Sequence, residues 1–270
     1  MKKYLALIFT ILLVFLGACG NTTTKQNETN DESNGSNVSK KKKESVSVET
    51  ENQIHKIFFN NSYSMKSVGV YAELRNTGDI PASVLDAEIT LYDSDDNVIG
   101  VENASEGGGQ LVSPYIIEPD ASAYISLIVD YEDKYKDLDH VDIDYDADPA
   151  DKTTFNKLDV DKVNVMNGEK YEDEDAPKDL PSSEMIDVTF KLKNSNDKDL
   201  DYMVGIGLYD KNDKFIGAMT DIDYIDVDYT VKSGASKSLE EKDFIPVKEN
   251  EVDHAKVKAI GVESNGDEDF

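Results

Sequence analysis

One segment of this chain occurs twice, and this repetition constrains the fold more than any other feature. ITLYDSDDNVIG spans residues 89–100, and IGLYDKNDKFIG spans residues 206–217. Other segments repeat around them in the same order, and the matching pairs are VYAELRN (70–76) with VTFKLKN (188–194), YIIEPDAS (115–122) with YTVKSGAS (229–236), and HVDI (140–143) with HAKV (254–257). Repeats of this kind indicate two copies of one domain of about 100 residues.

Both copies carry the pattern of half-buried β-strands. In the second copy Val188, Phe190 and Leu192 alternate with polar residues, and this period of two is typical of a strand with one buried face. Polar turn segments separate these strands, and no long amphipathic helix is predicted in the folded part. In the first copy the same pattern predicts four side chains that point into the core: Leu85, Ala87, Ile89 and Leu91.

Short strands at regular spacing with polar turns predict the fold class. We expect an all-β chain with two tandem immunoglobulin-like β-sandwich domains, residues 51–147 and 157–266. Cys19 is the only cysteine in the chain, so neither domain can contain a disulfide.

The repeated segment resembles the start of a calcium-binding loop but lacks the residues that such a loop requires. Asp93, Asp95 and Asn97 occupy alternate positions, as in an EF-hand. An EF-hand then needs glycine at its sixth position and a bidentate glutamate at its twelfth. This chain has Val98 and Ala104 there. The segment is therefore predicted to be a hairpin turn, in which Asp and Asn side chains bind nearby backbone groups.

A second acidic run is a candidate for weak cation binding. Asp142, Asp144 and Asp146 alternate with apolar or aromatic residues, so they would share one face of a strand. Such a face could collect Ca²⁺ weakly, and it could equally be a solvated surface, which is the interpretation that we favour. Otherwise the sequence predicts no cofactor.

The sequence contains no motif that indicates an enzyme. It has no G-x-S-x-G, no phosphate-binding glycine loop and no H-E-x-x-H. His55, His140 and His254 are far apart in the chain, and the last two occupy matching positions in the two copies. We therefore predict that the chain is not an enzyme, and that the matched histidines reflect the duplication.

The start of the chain predicts export and membrane anchoring. Lys2 and Lys3 precede an apolar run over residues 5–16, as in a secretory signal peptide, which we place at residues 1–18. The sequence Leu16-Gly17-Ala18-Cys19 resembles the lipobox of bacterial lipoproteins. This resemblance implies a diacylglycerol on the Cys19 thiol and cleavage just before it. An ordinary secretory signal is the alternative.

Residues 19–50 are predicted to form a lipid-anchored, disordered linker, because they contain very few apolar residues. The whole chain carries 56 acidic against 28 basic residues, a formal charge of −28. Such a charge argues against binding to nucleic acid or to a bare anionic bilayer. Cations or basic partners would suit it.

The repeats also resemble a known family. LYD occurs at 91–93 and 208–210, each time before a polar turn and IG, and NTGD lies upstream at 76–79. This combination resembles the FxLYD domain of bacterial extracellular proteins. The family has phenylalanine where this chain has Ile89 and Ile206, and an apolar β-branched residue suits the same strand position. The resemblance implies a β-sandwich in an extracellular setting and brings no catalytic residues.

Together these features predict a non-catalytic lipoprotein on the extracytoplasmic face of the cell membrane. It would act as a binding or scaffolding module for an unknown envelope protein or polymer. Two alternatives stay open, a calcium-dependent adhesion or binding module and a hydrolase of envelope glycans.

Overall fold

The computed structural model describes residues 44–103, 111–167, 177–220, 229–248 and 251–263. The chain divides into two compact units, residues 1–42 and 43–270, and all the described residues lie in the second unit.

The described residues form antiparallel sheets and one short 3-10 helix, Asp133–Asp137, so the predicted all-β fold class is confirmed. The strands of the first sandwich are β1 (Val48–Asn60), β2 (Met65–Asn76), β3 (Ala82–Ser83), β4 (Ala87–Asp93), β5 (Val98–Asn103), β6 (Val112–Ser113), β7 (Ile116–Ile117), β8 (Ser122–Asp130), β9 (Leu138–Tyr145) and β10 (Asp148–Pro149). Those of the second sandwich are β11 (Asn156–Lys157), β12 (Asp159–Asn167), β13 (Glu184–Lys193), β14 (Leu200–Tyr209), β15 (Phe215–Met219), β16 (Thr230–Val231), β17 (Ser236–Ile245) and β18 (His254–Glu263).

The two sandwiches have the same strand topology. One sheet of the first contains β1, β2 and β8 in that order, and the second has β12, β13 and β17 in the same arrangement. The facing sheets are β5-β4-β9 and β15-β14-β18. The register matches as well, because Leu91 pairs with Gly100 and Leu208 with Gly217, and a bulge follows each leucine. The strands of these main sheets therefore correspond in order and register in the two sandwiches.

The repeated hairpin is held by its own aspartate. The Asp93 Oδ1 atom accepts hydrogen bonds from the backbone N–H groups of Asp95 and Asn97, at 2.9 and 3.0 Å. In the second sandwich Asp210 Oδ1 accepts from the N–H groups of Asn212 and Lys214, at 2.8 and 3.0 Å. The Asn97 side-chain amide also donates to Asp93, and this bond together with the backbone bonds lowers the pKa of the Asp93 carboxyl. The backbone bonds from Lys214 and Asn212 lower the pKa of the Asp210 carboxyl in the same way. The segment is a turn, as predicted.

A buried asparagine ends the second long strand of each sandwich. The Asn76 Nδ2 atom donates to the carbonyl oxygens of Ile80 and Ile117, both at 2.8 Å. Asn194 Nδ2 donates in the same way to Lys198 and Val231, at 2.7 and 2.8 Å. Both asparagine side chains are fully buried. Each one joins a strand end, a turn and a neighbouring strand, which explains why this residue recurs.

One predicted core residue is on the surface. Ala87, Ile89 and Leu91 are buried, but Leu85 is 55 % exposed and Val84 is buried instead. The prediction for Leu85 was wrong because β4 begins only at Ala87. The alternation of a strand therefore does not extend back to residue 85.

The first strand begins earlier than the linker prediction implied. β1 starts at Val48, so residues 48–50 belong to the sandwich. The Ser45 and Ser47 carbonyl oxygens accept hydrogen bonds from the N–H groups of Asp79 and Thr77, at 2.9 and 2.8 Å. These bonds fix a segment whose composition alone gave no reason to order it.

The two sandwiches pack tightly against each other. Tyr124 of β8 lies over Gly207 of β14, where an added Cβ would stand 2.6 Å from the tyrosine Cζ. A Cβ on Gly205 would collide with the Ser113 carbonyl group. Tyr124 also stacks on Phe215, with ring centroids 6.4 Å apart. The two glycines therefore allow one sheet to approach the other, as glycine in a strand often does.

Polar contacts extend this packing. Ser113 Oγ donates to the Val204 carbonyl at 2.8 Å, and Lys56 Nζ donates to the Pro246 carbonyl at 2.6 Å. The Phe59 N–H donates to the Pro181 carbonyl, and the Ser183 N–H donates to the Phe59 carbonyl, both at 2.9 Å. Backbone bonds thus cross between the sandwiches at the end of β1.

Leu208→Ala tests the equivalence of the two cores. Leu91 and Leu208 are both fully buried, and truncation of such a leucine should lower the free energy of unfolding by about 2–5 kcal/mol. Leu85→Ala is the matched control and should change it by less than about 0.5 kcal/mol, because Leu85 is exposed. Chemical denaturation measures both. A small effect at Leu208 would contradict its assignment to the core.

Candidate functional site

The predicted lipidation site lies outside the described residues, and so does the rest of the lipobox: Leu16, Gly17, Ala18 and Cys19. Over the ranges that the structure does describe, no helix has the length and apolar character needed to cross a membrane.

The three candidate aspartates lie along one edge of the first sandwich. Asp142 and Asp144 are exposed on the outer face of β9, opposite Thr90 and Glu88 of β4. Asp146 is also exposed and follows the end of the strand. The structure therefore places Asp142 and Asp144 on a common face and adds Glu88 to them, which sequence reasoning did not identify.

A depression of about 480 Å³ opens at this edge. Its lining residues are Asp86, Ala87, Glu88, Asn103, Asp144, Tyr145 and Asp146. Four of these carry carboxylates, which attract cations and basic groups. In the parts of the chain with described coordinates, no group of three or more His, Cys, Asp or Glu side chains is arranged to hold a metal ion.

The carboxylates at this edge are specific to the first sandwich and do not recur at the equivalent positions of the second. We call the outer face of β4, β5 and β9 the acidic face, defined by Glu88, Thr90, Val101, Asp142 and Asp144. These three strands contain no lysine or arginine. In the second sandwich the positions of Asp142 and Asp144 are taken by Lys256 and Lys258, as the pairing of β14 with β18 shows.

Each sandwich also carries a stacked tyrosine and histidine that sequence analysis missed. Tyr92 stacks on His140 with centroids 4.9 Å apart, and Tyr209 stacks on His254 at 5.4 Å. Each tyrosine belongs to the LYD segment and pairs with its histidine across the sheet. The signal was present, because the LYD and the histidine both recur at matching positions.

Carboxylates hold these histidines in place. His254 Nδ1 lies 3.2 Å from Asp253 and its Nε2 lies 3.1 Å from Asp213. The Lys256 ammonium group also lies 2.9 Å from Asp213. The contacts with Lys256 and with His254 hold the pKa of the Asp213 carboxyl below its usual range. Both nitrogens of His254 are thus engaged within the sandwich, which supports a structural role for the stack.

Tyrosine hydroxyls at the contact between the sandwiches are poor acids. Burial raises the pKa of Tyr71, Tyr124 and Tyr209, and the last two hydroxyl oxygens lie 3.4 Å apart. The Tyr71 hydroxyl is buried without a hydrogen-bond partner among the described residues. These hydroxyls are therefore neutral at physiological pH, and this contact is better suited to packing than to proton transfer.

Comparison with known proteins gives no family. No family model matches the chain, and no curated protein matches it. A solved structure of red sea bream transglutaminase is similar with 10 % identity and a TM-score of 0.21, and the match covers 84 % of this chain and 32 % of that one. The chain therefore spans about a third of the length of that protein.

Melting temperatures in NaCl and in CaCl₂ distinguish a solvated acidic face from a calcium site. If the acids are only solvated, NaCl should raise the melting temperature nearly as much as CaCl₂ at the same ionic strength, because both screen repulsion. A calcium site would instead stabilise the fold by about 2.7 kcal/mol at a hundredfold excess over Kd. We expect the salt-like result, with little change on joint replacement Asp142→Asn, Asp144→Asn and Asp146→Asn. A saturable shift that is specific to calcium and lost in this variant would contradict it.

Proposed function

We propose that this chain is a non-catalytic lipoprotein, anchored through lipid on Cys19 to the extracytoplasmic face of the cell membrane. Its two sandwiches act there as a binding or scaffolding module for an envelope protein or polymer. The lipobox-like sequence supports the anchor, and the FxLYD-like segments support the extracellular setting.

The close contact between the sandwiches is the observation that supports a scaffold most strongly. Tyr124 over Gly205 and Gly207 leaves no space for side chains at those positions. Backbone hydrogen bonds add a second connection at Phe59. A body fixed at two places holds its outer surfaces in a constant orientation, and a scaffold needs such an orientation.

The acidic face supports binding of a cation or of a basic partner. Its carboxylates lie beside exposed apolar side chains, since Val101 is 44 % exposed and Val98 at the start of β5 is 57 % exposed. Mixed apolar and charged surfaces suit protein recognition. The depression lined by Asp86, Glu88, Asp144 and Asp146 is the specific observation that favours the calcium-dependent alternative.

Cross-linking in intact cells followed by membrane fractionation tests the proposal. We expect wild-type protein to partition with membranes and to yield cross-linked species with envelope components. Cys19→Ala should lose both properties, because a lipid chain is the only proposed link to the bilayer.

A matched control tests whether the effect is specific to Cys19. Ser36→Ala lies in the same N-terminal region and should leave partitioning unchanged. Equal partitioning of wild type and Cys19→Ala would remove the lipoprotein proposal. Correct anchoring without any cross-linked envelope partner would instead remove the binding and scaffolding part.

A further inference from the structure

The edge strand β5 of the first sandwich has a neighbour on one side only. The strand order of its sheet is β5-β4-β9, so β5 pairs with β4 and with no other described strand. Among the described residues, no backbone group outside β4 forms a hydrogen bond with residues 99–102. An edge of this kind presents a row of N–H and C=O groups to which a further strand can be added.

Other long edge strands in the described part of the chain carry features that discourage such pairing. β12 is interrupted by a bulge after Asp161, where Lys162 has a φ of 55°. β1 has a bulge between Thr50 and Asn52. β17 carries three lysines and glutamates along its length and is charged at most of its positions. Bulges and charged side chains, lysine above all, are common means of protecting an edge.

β5 lacks these features over most of its length. It contains neither lysine nor proline. Its bulge lies near its start, at Ile99, and residues 100–103 pair with β4 in regular register. Val98 and Val101 point outwards from it and are exposed. A weakly protected edge with exposed apolar side chains is suited to the addition of a strand.

The equivalent strand of the second sandwich already lies in a contact. β15 corresponds to β5, and all five of its residues are buried. It packs against the first sandwich, where Phe215 stacks on Tyr124. Thr220, directly after the strand, donates to the Ser126 carbonyl at 3.4 Å. The duplicated domain therefore uses this strand in a contact in one copy, whereas the other copy exposes it.

The charge beside β5 determines which kind of strand fits there. β4, β5 and β9 contain no lysine or arginine, and Glu88, Asp142 and Asp144 are exposed on the face that they share. Neighbouring strands lie about 4.8 Å apart, so a strand added to β5 would be about 10 Å from β4. A lysine or arginine on that strand can lay its apolar stem over Val101 and direct its charged group towards Glu88.

A second copy of this chain fits the edge less well. Each chain carries 56 acidic against 28 basic residues. Pairing of two β5 strands would bring two copies of the same acidic face together, and like charges disfavour that arrangement. The charge complementarity therefore favours a basic partner.

We propose that β5 accepts an extended segment of a partner protein as an additional strand of its sheet, with lysine or arginine at alternate positions of that segment. Main-chain hydrogen bonds along the edge supply affinity, and the basic side chains over the acidic face supply selectivity. The proposal rests on the binding part of the proposed function, and it specifies the partner as a protein with a basic strand. It does not depend on lipid anchoring.

Synthetic peptides and the full chain, purified in detergent, test this pairing. The probe is a short peptide of alternating threonine and lysine, capped at both ends and labelled so that fluorescence anisotropy measures its binding. When it is bound, amide hydrogen exchange should slow at residues 99–102, because an added strand protects the N–H groups on the outer side of β5.

Two control peptides separate strand addition from simple charge attraction. A peptide of alternating proline and lysine has the same charge but cannot donate hydrogen bonds from its prolines, and it should bind about tenfold more weakly or worse. A peptide of alternating threonine and glutamate keeps the strand-forming residues but reverses the charge, and it should not bind measurably.

Substitutions at exposed positions then locate the site. Val101→Lys should weaken binding of the threonine–lysine peptide about tenfold or more, because a lysine on the edge repels it. Met166→Lys replaces another exposed apolar residue in β12 with the same change in charge and should leave binding nearly unchanged. Glu88→Gln should also weaken binding, whereas Asp179→Asn, at an exposed position of the second sandwich, should not. Hydrogen exchange over the rest of the chain reports whether each variant is folded.

Several results would overturn the proposal. These are a lack of binding by the threonine–lysine peptide, equal binding of the proline–lysine peptide, unchanged exchange at residues 99–102, and equal effects of Val101→Lys and Met166→Lys. Protection of these residues that depends on protein concentration without any peptide would assign the edge to a second copy instead. None of these results affects membrane partitioning or cross-linking in cells, so they are distinguishable from a failure of the proposed function.

Discussion

The packing of Tyr124 against Gly205 and Gly207 is the contact on which the arrangement of the two sandwiches depends. It requires a ring on one sheet and bare backbone on the other, since a Cβ on Gly207 would stand 2.6 Å from the ring. The contact buries the outer face of β2 and β8 in the first sandwich against the outer face of β14 and β15 in the second.

Because the domain is duplicated, the same local structures occur in both sandwiches, although the outer faces of the two sandwiches differ. The hairpin aspartates, the buried asparagines and the stacked tyrosines and histidines recur in both sandwiches with closely similar geometry. They hold each sandwich together from within. The outer faces differ, because Gly207 and Thr90 occupy equivalent positions and so do Tyr124 and Ser238. Selection of side chains on these faces decides which surface is buried and which one meets solvent.

Sequence analysis could predict what depends on local pattern. Alternation placed Val188, Phe190 and Leu192 in a strand, and the polar residues after Asp210 indicated the turn that the structure shows. The contact between the sandwiches was not predicted, because it depends on which faces meet in space. Glycines at alternate positions of β14 were a usable signal, since glycine inside a strand often marks a close approach. The prediction that Leu85 is buried was wrong for another reason. The alternation of β4 was extended to a residue before the start of the strand.

The distance distribution between spin labels on the two sandwiches tests the central claim, that the two form one rigid body. Labels at Ser238 and Val101, measured in magnetically dilute samples, should give one narrow distribution for the wild-type background. Gly207→Leu should broaden it, because the added side chain cannot share space with Tyr124. A broad distribution in the wild-type background, or a narrow one that Gly207→Leu leaves unchanged, would contradict the account.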